Sequence, residues 1–509
     1  MKKSVFIKIL SLILVIATAV SLASCSAGNK KEDALGSMVG EPGYSDGSDG
    51  DKKYPEDGDY EYGKLIENKW VSTEEEPTST FSSDVDTASY SRFRAFMKNA
   101  GGSFKTVRDY YGNSIRTEEM LNYFKYKTND PMGDDLFGLR AELAPCPWNS
   151  EAQLLMMTFK AKEVEVDSKG NNLVFLIDVS GSMQSSDKLP LLKSAFNYLI
   201  DTLDKDDRVS IVTYSGSEKV LLEGCMGSEK EKIRKAVDKL EAGGSTNGSA
   251  GMSKAYDIAA DYYIEGGNNR IIMATDGDLN VGISTTEGIL DYVEQQRGRG
   301  IYISTLGFGT GGYNDSMLET IADNGNGAYY FVDSREEAEK IFGTDLFSTL
   351  YTVATDVKFQ ITFDPAEVSE YRLVGYENRV MDNEDFENDA KDAGEVGSGH
   401  RLVVCYEIKT NVTNSSIGNI AKLSVRYKDP GDIAAKQNDY DITRDMLDGG
   451  EGDDLEFACA VIMTAMLLHN SEYLDKSVGL DFVAEYISEL DLEGDSYKEE
   501  FALIMINAK

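Results

Sequence analysis

The sequence has few of the residues that hold metals through nitrogen or sulphur. Its 509 residues include two histidines and five cysteines, and no Cys-x-x-Cys pair occurs. Structural zinc sites and thioredoxin-type chemistry need such ligands, so both are disfavoured. Four cysteines lie far apart along the chain: Cys146, Cys225, Cys405 and Cys459. We interpret them as small buried hydrophobic residues, with a disulfide between two of them as the alternative.

Positive charge is also scarce. The chain has 51 Lys and Arg residues against 88 Asp and Glu, which gives a formal net charge of -37. Binding to nucleic acid needs clustered Lys and Arg, so we expect no nucleic-acid partner. Adhesion to anionic lipid by charge alone is disfavoured for the same reason. The simplest interpretation of the acidic excess is that self-repulsion keeps the protein soluble.

Apolar segments long enough to span a bilayer are missing from the sequence. Ile9–Val20 falls short of the roughly 20 residues that a crossing helix needs, and Phe457–His469 is too short as well. Lys2 and Lys3 precede the first segment, which is typical of a secretory signal peptide. Leu22–Cys25 resembles a bacterial lipobox, which implies cleavage before Cys25 and lipid on its thiol. An ordinary cleaved signal is the alternative, and the lipobox predicts a lipid-anchored, extracytoplasmic protein at the cell membrane.

Composition changes along the chain predict several domains, because 509 residues are too many for one core. Residues 25–76 contain little apolar surface, which predicts a disordered acidic tether after the lipidated cysteine. We predict these segments: a signal peptide at 1–24, the tether at 25–76, a helical region at 77–135, a β-rich domain at 136–168 plus 352–430, an α/β domain at 169–351 and a C-terminal helical region at 440–509.

The two β-rich pieces bracket a complete α/β unit. The strand-like stretches include Gln153–Lys160, Lys358–Phe363, Arg401–Lys409 and Ala421–Tyr427. We predict that both pieces pair into one sandwich, with the α/β domain inserted between them. Two separate small β units are the alternative.

The central region alternates apolar strands with amphipathic helices, which predicts an α/β fold with a doubly wound parallel sheet covered on both faces. The predicted strands are Leu173–Ile177, Arg208–Tyr214, Arg270–Ala274, Ile301–Gly307 and Ala328–Val332. The predicted helices are Lys188–Leu203, Glu229–Leu240, Ser249–Ile264, Thr286–Gln296, Asp315–Ala322 and Arg335–Leu350.

Five oxygen donors follow strand-like stretches of this region. Asp178, Ser180 and Ser182 come directly after the first strand, whereas Thr246 and Asp276 lie further along the chain. Open α/β sheets bind ligands beyond the carboxyl ends of their strands, so these side chains are expected to converge. Hydroxyl and carboxylate oxygens suit a hard divalent cation, Mg2+ or Mn2+.

These five positions resemble the metal-ion-dependent adhesion site of von Willebrand factor type A domains. The resemblance implies a Rossmann-like fold in which Ser180, Ser182 and Thr246 bind the metal directly or nearly so. It also implies that Asp178 and Asp276 act largely through water. A carboxylate from a protein partner would complete the coordination of such an electrophilic ion.

The wider sequence resembles bacterial lipoproteins that carry this domain between two characteristic flanking regions. Ser79–Arg92, Arg116–Phe124 and Gly375–Arg379 are among the stretches that carry the resemblance. It implies a membrane-anchored binding or adhesion protein, not an enzyme, with a scaffold in a cell-envelope complex as the alternative. The ligand does not follow from the resemblance.

Other functions fit the residues less well. A metal-dependent phosphohydrolase would need a second acid two residues after Asp178, where Ser180 stands. Gly307, Gly309 and Gly312 match Gly-x-Gly-x-x-Gly, but the motif comes late in the sheet, so we predict a tight turn and no nucleotide. Asp84, Asp86 and Thr87 match a phosphotransferase-like spacing without a strongly apolar strand before them, which favours a structural or capping role. His400 and His469 lie in no motif that would orient a base.

Overall fold

The computed structural model describes residues 65–164, 169–244, 248–277, 286–310, 315–345, 348, 350–391, 393–411, 418–443, 447–448 and 453–508. All of them belong to one compact unit, Asp57–Lys509. No helix within this part of the chain combines the length and the apolar character that a membrane crossing requires.

The central domain is a six-stranded sheet with helices on both faces. The strands are β5 (Asn171–Asp178), β6 (Arg208–Tyr214), β7 (Glu218–Met226), β8 (Asn268–Thr275), β9 (Tyr302–Phe308) and β10 (Tyr329–Val332). Their order in the sheet is β10-β9-β8-β5-β6-β7, and all neighbours are parallel except β6 and β7. The helices are α4 (Leu189–Thr202), α5 (Lys230–Asp238), α6 (Gly248–Asp261), α7 (Thr286–Arg297), α8 (Asp315–Asn324) and α9 (Arg335–Lys340).

Burial on both faces explains the apolar sequence of the central strand. Every residue of β5 is buried. Leu173 and Phe175 pack on one side of the sheet, whereas Val174 and Leu176 pack in a separate core on the other side. The prediction of a doubly wound α/β sheet is confirmed.

Two further sheets pack together as a β-sandwich. One sheet has the order β1 (Val71–Ser72), β12 (Val368–Val374), β15 (Arg401–Thr410), β4 (Gln153–Ala161), β3 (Phe137–Pro145) and β18 (Leu447–Asp448). The other has the order β13 (Val380–Met381), β2 (Thr78–Ser82), β11 (Thr352–Phe363), β16 (Asn419–Lys428) and β17 (Ala435–Thr443), with β14 (Gly394–Gly397) paired to β11.

Strands from before and after the central domain share this sandwich. β4 pairs with β15 along its length, so that Met157 lies opposite Val404. Phe159 of one sheet packs against Phe359 of the other, with ring centroids 5.2 Å apart. Both β-rich pieces therefore build one core, as the sandwich hypothesis requires.

Helices that precede the central domain and helices that follow the sandwich strands pack together. They cover the outer face of the sandwich sheet that contains β4 and β15. They are α1 (Ala88–Asn99), α2 (Phe104–Tyr111), α3 (Thr117–Asn122), α10 (Asp454–His469), α11 (Leu480–Ser488) and α12 (Ser496–Ile506). Phe124, which follows α3, contacts Phe457 and Phe501 edge-on at 4.8 and 5.7 Å. Leu154 and Cys405 supply the sheet side of the same core.

One predicted segment boundary at the N-terminal side is wrong. The tether was predicted to reach residue 76, yet Val71 and Ser72 pair with Tyr371 and Glu370 in the sandwich. The Thr73 hydroxyl also donates to the carbonyl of Val368 at 2.6 Å. The region 77–135, predicted as helical, also contains the strand β2, which pairs with β11. The composition of the sequence does not reveal such short strands, because hydrogen bonds to the backbone of the partner strand stabilise them.

The last helix of the central domain agrees with its predicted range, Arg335–Leu350, but is not α-helical throughout. It passes from α9 into a π-helical turn, Ile341–Asp345, and Ser348 and Leu350 are again α-helical. Lys340 and Asp345 form an ion pair at 2.8 Å across this turn. The C-terminal region, predicted as helical from 440, begins within β17 and includes β18.

Candidate metal-ion site

The first loop of the candidate site leaves the end of β5. Asp178 is the last residue of this strand and is fully buried, and Ser180 is 2% exposed. The Ser180 backbone amide donates to Asp178 Oδ1 at 2.7 Å, which fixes the carboxylate. The hydroxyls of Ser180 and Ser182 are hydrogen-bonded to each other at 2.9 Å, and Ser182 is exposed. This loop therefore holds two hydroxyl oxygens together, one on buried Ser180 and one on exposed Ser182, next to a buried carboxylate.

The second loop leaves the neighbouring parallel strand, β8. Ile177 lies opposite Ala274 in the register, so Asp178 and Asp276 emerge at the same edge of the sheet. The Thr275 hydroxyl donates to Asp178 Oδ2 at 3.4 Å and accepts from the Gly277 amide at 3.2 Å. Thr275 was missed in the sequence because a hydroxyl at a strand end carries no motif of its own.

The third loop approaches the first through its backbone. The Gly243 amide donates to the Val179 carbonyl at 2.8 Å, and the Gly181 amide donates to the Gly244 carbonyl at 3.1 Å. Thr246, the fifth predicted donor, lies outside the described residues. The structure thus brings Asp178, Ser180, Ser182 and Asp276 to one edge of the sheet, which is where they were predicted to converge.

Burial and charge at this edge favour a bound cation. The pKa of Asp178 is raised to about 6. Desolvation is the main cause and the charge of the nearby Asp276 adds to it, whereas the hydrogen bonds from Ser180 act in the opposite direction. Asp276 is 3% exposed, and its Oδ1 accepts no hydrogen bond from the described residues. Its Oδ2 pairs with Lys188 Nζ at 2.8 Å. A buried carboxylate oxygen without a donor is destabilising unless an ion or water satisfies it.

The donor set fits one hard divalent cation. The available side chains offer hydroxyl and carboxylate oxygens, the ligands that Mg2+ and Mn2+ prefer. No group of three or more His, Cys, Asp or Glu side chains within the described residues is arranged to hold a metal. Hydroxyls would therefore supply part of the coordination here, with the two carboxylates behind them.

The residues considered for other chemistry lie elsewhere or serve the fold. His469 Nε2 hydrogen-bonds the Ile115 carbonyl at 2.7 Å, and His400 lies in the turn before β15. Gly309 has a φ of 77° just after β9, as the tight-turn interpretation expects, whereas Gly312 lies outside the described residues. Cys25, the predicted lipidation site, also lies outside them. The described cysteines Cys146, Cys225, Cys405 and Cys459 are free and buried.

Asp84 and Asp86 hold the turn before α1. The Asp86 amide donates to Asp84 Oδ1 at 3.0 Å, and Arg379 pairs with Asp84 Oδ2 at 3.2 Å. Thr87 precedes α1 but makes no side-chain capping bond. These contacts agree with the structural role, one of the two alternatives predicted for this group of residues.

Family models match three consecutive parts of the chain. The model of the von Willebrand factor type A domain matches residues 172–344, and a model described as von Willebrand factor matches residues 56–156. The model of the C-terminal region of uncharacterized protein YfbK matches residues 348–509. The three matches correspond to the central domain and its two flanking regions.

Individual relatives agree with these models. The Escherichia coli K12 protein YfbK is 37% identical over 441 residues, which cover 82% of this chain and 75% of that protein. Human inter-alpha-trypsin inhibitor heavy chain H3 is 30% identical over 164 residues, 31% of this chain and 18% of that protein. A von Willebrand factor type A structure from Catenulispora acidiphila aligns with 76% of this chain and 98% of its own, at 16% identity and a TM-score of 0.41. The match to the Escherichia coli protein shows that the chain belongs to the family of YfbK, and the family model shows that its central α/β domain is a von Willebrand factor type A domain.

Proposed function

We propose that this protein is a lipid-anchored, extracytoplasmic binding protein that presents one divalent cation, Mg2+ or Mn2+, to a carboxylate of a protein partner. The observation that carries the proposal is the arrangement of Asp276 and the serine pair. Asp276 Oδ1 is buried without a donor among the described residues, and the hydroxyl of buried Ser180 is hydrogen-bonded to that of exposed Ser182. Such a site binds a cation from within and leaves its outer side open.

The chain's own residues would set how the ion is held. Asp178 is fixed by the Ser180 amide and the Thr275 hydroxyl, so its carboxylate cannot swing outward without losing both bonds. Hydroxyl ligands add no negative charge, so a bound ion remains electrophilic and attracts an anionic group from a partner. Ser182, exposed at the rim, lies where a partner side chain would approach.

Binding fits these residues better than catalysis. Ser180 stands where a phosphohydrolase needs a second carboxylic acid, and a serine hydroxyl does not donate a proton to a leaving group at neutral pH. Its hydroxyl is instead paired with that of Ser182. We therefore infer that the site recognises a ligand without transforming it.

Calorimetric titration with Mg2+ and Mn2+ tests the ion site. We expect one ion per chain for the wild type and for the exposed control Asp481→Asn. Asp178→Ala is expected to abolish binding, and Ser182→Ala to weaken it roughly tenfold. Equal affinity in wild type and Asp178→Ala would refute the proposal.

Two further measurements separate the alternatives. Partner proteins retained from an extracytoplasmic extract should be lost with EDTA and with Asp178→Ala. Partners retained under both conditions would favour the scaffold function through the flanking regions. Hydrolysis of p-nitrophenyl phosphate that needs both Mg2+ and Asp178 would favour a phosphohydrolase instead.

A further inference from the structure

A second acidic site lies where three parts of the chain meet. A cavity of about 360 Å3 separates the turn between β2 and α1, the connection from α8 to β10, and the strands β13 and β14. Its lining includes Ser83, Asp86, Asp323, Asn378 and Gly394. The cavity therefore borders both the von Willebrand factor type A domain and the sandwich, and none of its lining residues belongs to the loops that carry Asp178 and Asp276.

Negative charge is in excess around this cavity. Six carboxyl groups interact electrostatically with one another and with the guanidinium groups of Arg116 and Arg379. The carboxyl groups belong to Asp84, Asp86, Glu118, Glu119, Glu319 and Asp323. Arg379 bridges Asp84 and Asp323, at 3.2 and 3.1 Å. Lys391 at the cavity wall pairs with Asp385 at 3.3 Å. These cations are thus already engaged, and Asp86 pairs with none of them directly.

Two oxygen atoms of residues that line the cavity lack partners among the described residues. Asp86 Oδ1 accepts from the Tyr329 amide at 2.9 Å, but Oδ2 accepts no hydrogen bond. Ser83 Oγ is also without a partner, and both residues are 2% exposed. In the ionised form of Asp86, Oδ2 is a buried acceptor without a donor among the described residues, and a cation or a water from outside the chain would satisfy it.

We propose that this cavity binds a divalent cation of the Ca2+ type, with Asp86 Oδ2 and Ser83 Oγ as protein ligands. Ca2+ accepts six to eight oxygen ligands in flexible geometry, including hydroxyls, carbonyls and water. The cavity has room for an ion that keeps several of its waters. Because no three carboxyl groups of the described residues form a metal cage, we expect weak binding, with a Kd on the order of 10⁻⁴ to 10⁻³ M.

The electrostatics of Asp86 support a cation at this position. Burial is the main cause that raises the pKa of Asp86 well above its usual range, and the neighbouring Asp84, Asp323 and Glu119 raise it further. A cation beside Oδ2 would offset both effects. Because Oδ1 bonds β10 of the central domain, the ion would also fasten the turn before α1 to that domain and raise the melting temperature.

Calcium titration of four proteins tests the proposal. Asp86→Asn keeps the size of the side chain and an oxygen for the Tyr329 amide, but replaces one carboxylate oxygen with a donor. We expect it to weaken Ca2+ binding at least tenfold in calorimetry. Asp178→Ala, which removes the proposed Mg2+ site, and the exposed control Asp481→Asn should bind Ca2+ at the cavity as the wild type does.

Ser83→Ala provides a second test in case Asp86→Asn folds poorly. It leaves the bond between Asp86 and Tyr329 in place and removes one neutral ligand, so we expect Ca2+ binding to weaken several-fold. Millimolar Ca2+ should raise the Tm of the wild type and of Asp178→Ala more than that of either cavity variant. Unchanged Ca2+ binding in both cavity variants would overturn the proposal, as would complete loss of Ca2+ binding in Asp178→Ala. Neither result would affect the Mg2+ titration that tests the proposed function.

Discussion

Lys188 Nζ lies 2.8 Å from Asp276 Oδ2, so an ammonium group occupies one side of a carboxylate at the candidate metal site. Lys188 immediately precedes α4, and its side chain is 13% exposed. The glycine at position 309 leaves room for the Lys188 side chain, because a Cβ on residue 309 would overlap Cε of Lys188. Three neighbouring loops thus place a fixed positive charge beside the predicted cation.

We predict that Lys188→Met strengthens Mg2+ binding on the order of tenfold. An opposite charge within a few ångströms neutralises much of a carboxylate's field and so weakens its attraction for a cation. Removing the ammonium also removes its repulsion of the metal. Calorimetry with Mg2+ measures the change.

Lys205→Met is the matched control for this substitution, because Lys205 is 81% exposed and its contact with Asp206 is 4.0 Å long. Its Mg2+ affinity should equal that of the wild type. Unchanged or weaker affinity in Lys188→Met would mean that the lysine does not compete with the ion.

A second prediction concerns Arg94, which joins three regions of the chain. Its guanidinium group pairs with Asp333 at 2.5 Å, Glu337 at 2.7 Å and Glu500 at 2.8 Å. Arg94 and its two partners from the central domain are almost fully buried. Arg94→Ala should lower the free energy of unfolding by about 3–5 kcal/mol, because it leaves buried carboxylates without a counter-charge.

Denaturant unfolding measures this loss of stability. Lys105→Ala serves as the control, since Lys105 forms an exposed pair with Asp109 on α2 and such pairs add little stability. If Arg94→Ala is as stable as Lys105→Ala, the helical region is not fastened to the central domain through this cluster.

The central sheet was predictable because its strands are buried on both faces. Arg208–Tyr214 was predicted with the bounds that the structure has, and Leu173–Ile177 lies within β5. β7 was missed. It is a partly exposed edge strand whose register with β6 shifts twice, which interrupts the alternation of apolar and polar residues. Its stability depends on hydrogen bonds to β6, which composition does not reveal.

The candidate site was predictable in part for the same reason. The spacing of Asp178, Ser180 and Ser182 places them on one loop, and parallel strands bring Asp276 to the same edge. The contact of Lys188 with Asp276 could not be predicted, because 88 residues separate them and a lysine before a helix is ordinary. The pairing of Asp84 with Arg379, 295 residues apart, was hidden in the same way.

A third prediction tests the lipid anchor at Cys25. The mature protein should partition into a detergent phase, whereas Cys25→Ser should remain in the aqueous phase if the lipobox is used. Thiol titration provides a second measurement, because the four described cysteines are free. The denatured mature protein should show four reactive thiols, since lipid blocks the fifth. Five thiols, or a mature chain that lacks Cys25, would contradict lipidation.

A final prediction concerns His400, which lies beside a cavity of about 460 Å3 between the central domain and the sandwich. Desolvation lowers its pKa from 6.5 to about 4; the nearby Asp345 opposes this shift, and Lys340 adds to it. Its Nε2 has no hydrogen-bond partner among the described residues. The neutral form therefore belongs to the folded state, and protonation favours unfolding.

The sign of the pH effect follows from these values. Above pH 6.5 the imidazole is neutral in the folded and in the unfolded state, so His400 does not change the free energy of unfolding. Below pH 6.5 the unfolded chain takes up the proton first, which lowers the free energy of unfolding. Between pH 7 and pH 5 the wild type should lose about 2 kcal/mol of unfolding free energy relative to His400→Gln. Other titrating groups cancel in this difference, which denaturant unfolding at the two pH values measures. An equal change in both proteins would show that His400 is protonated in the folded state.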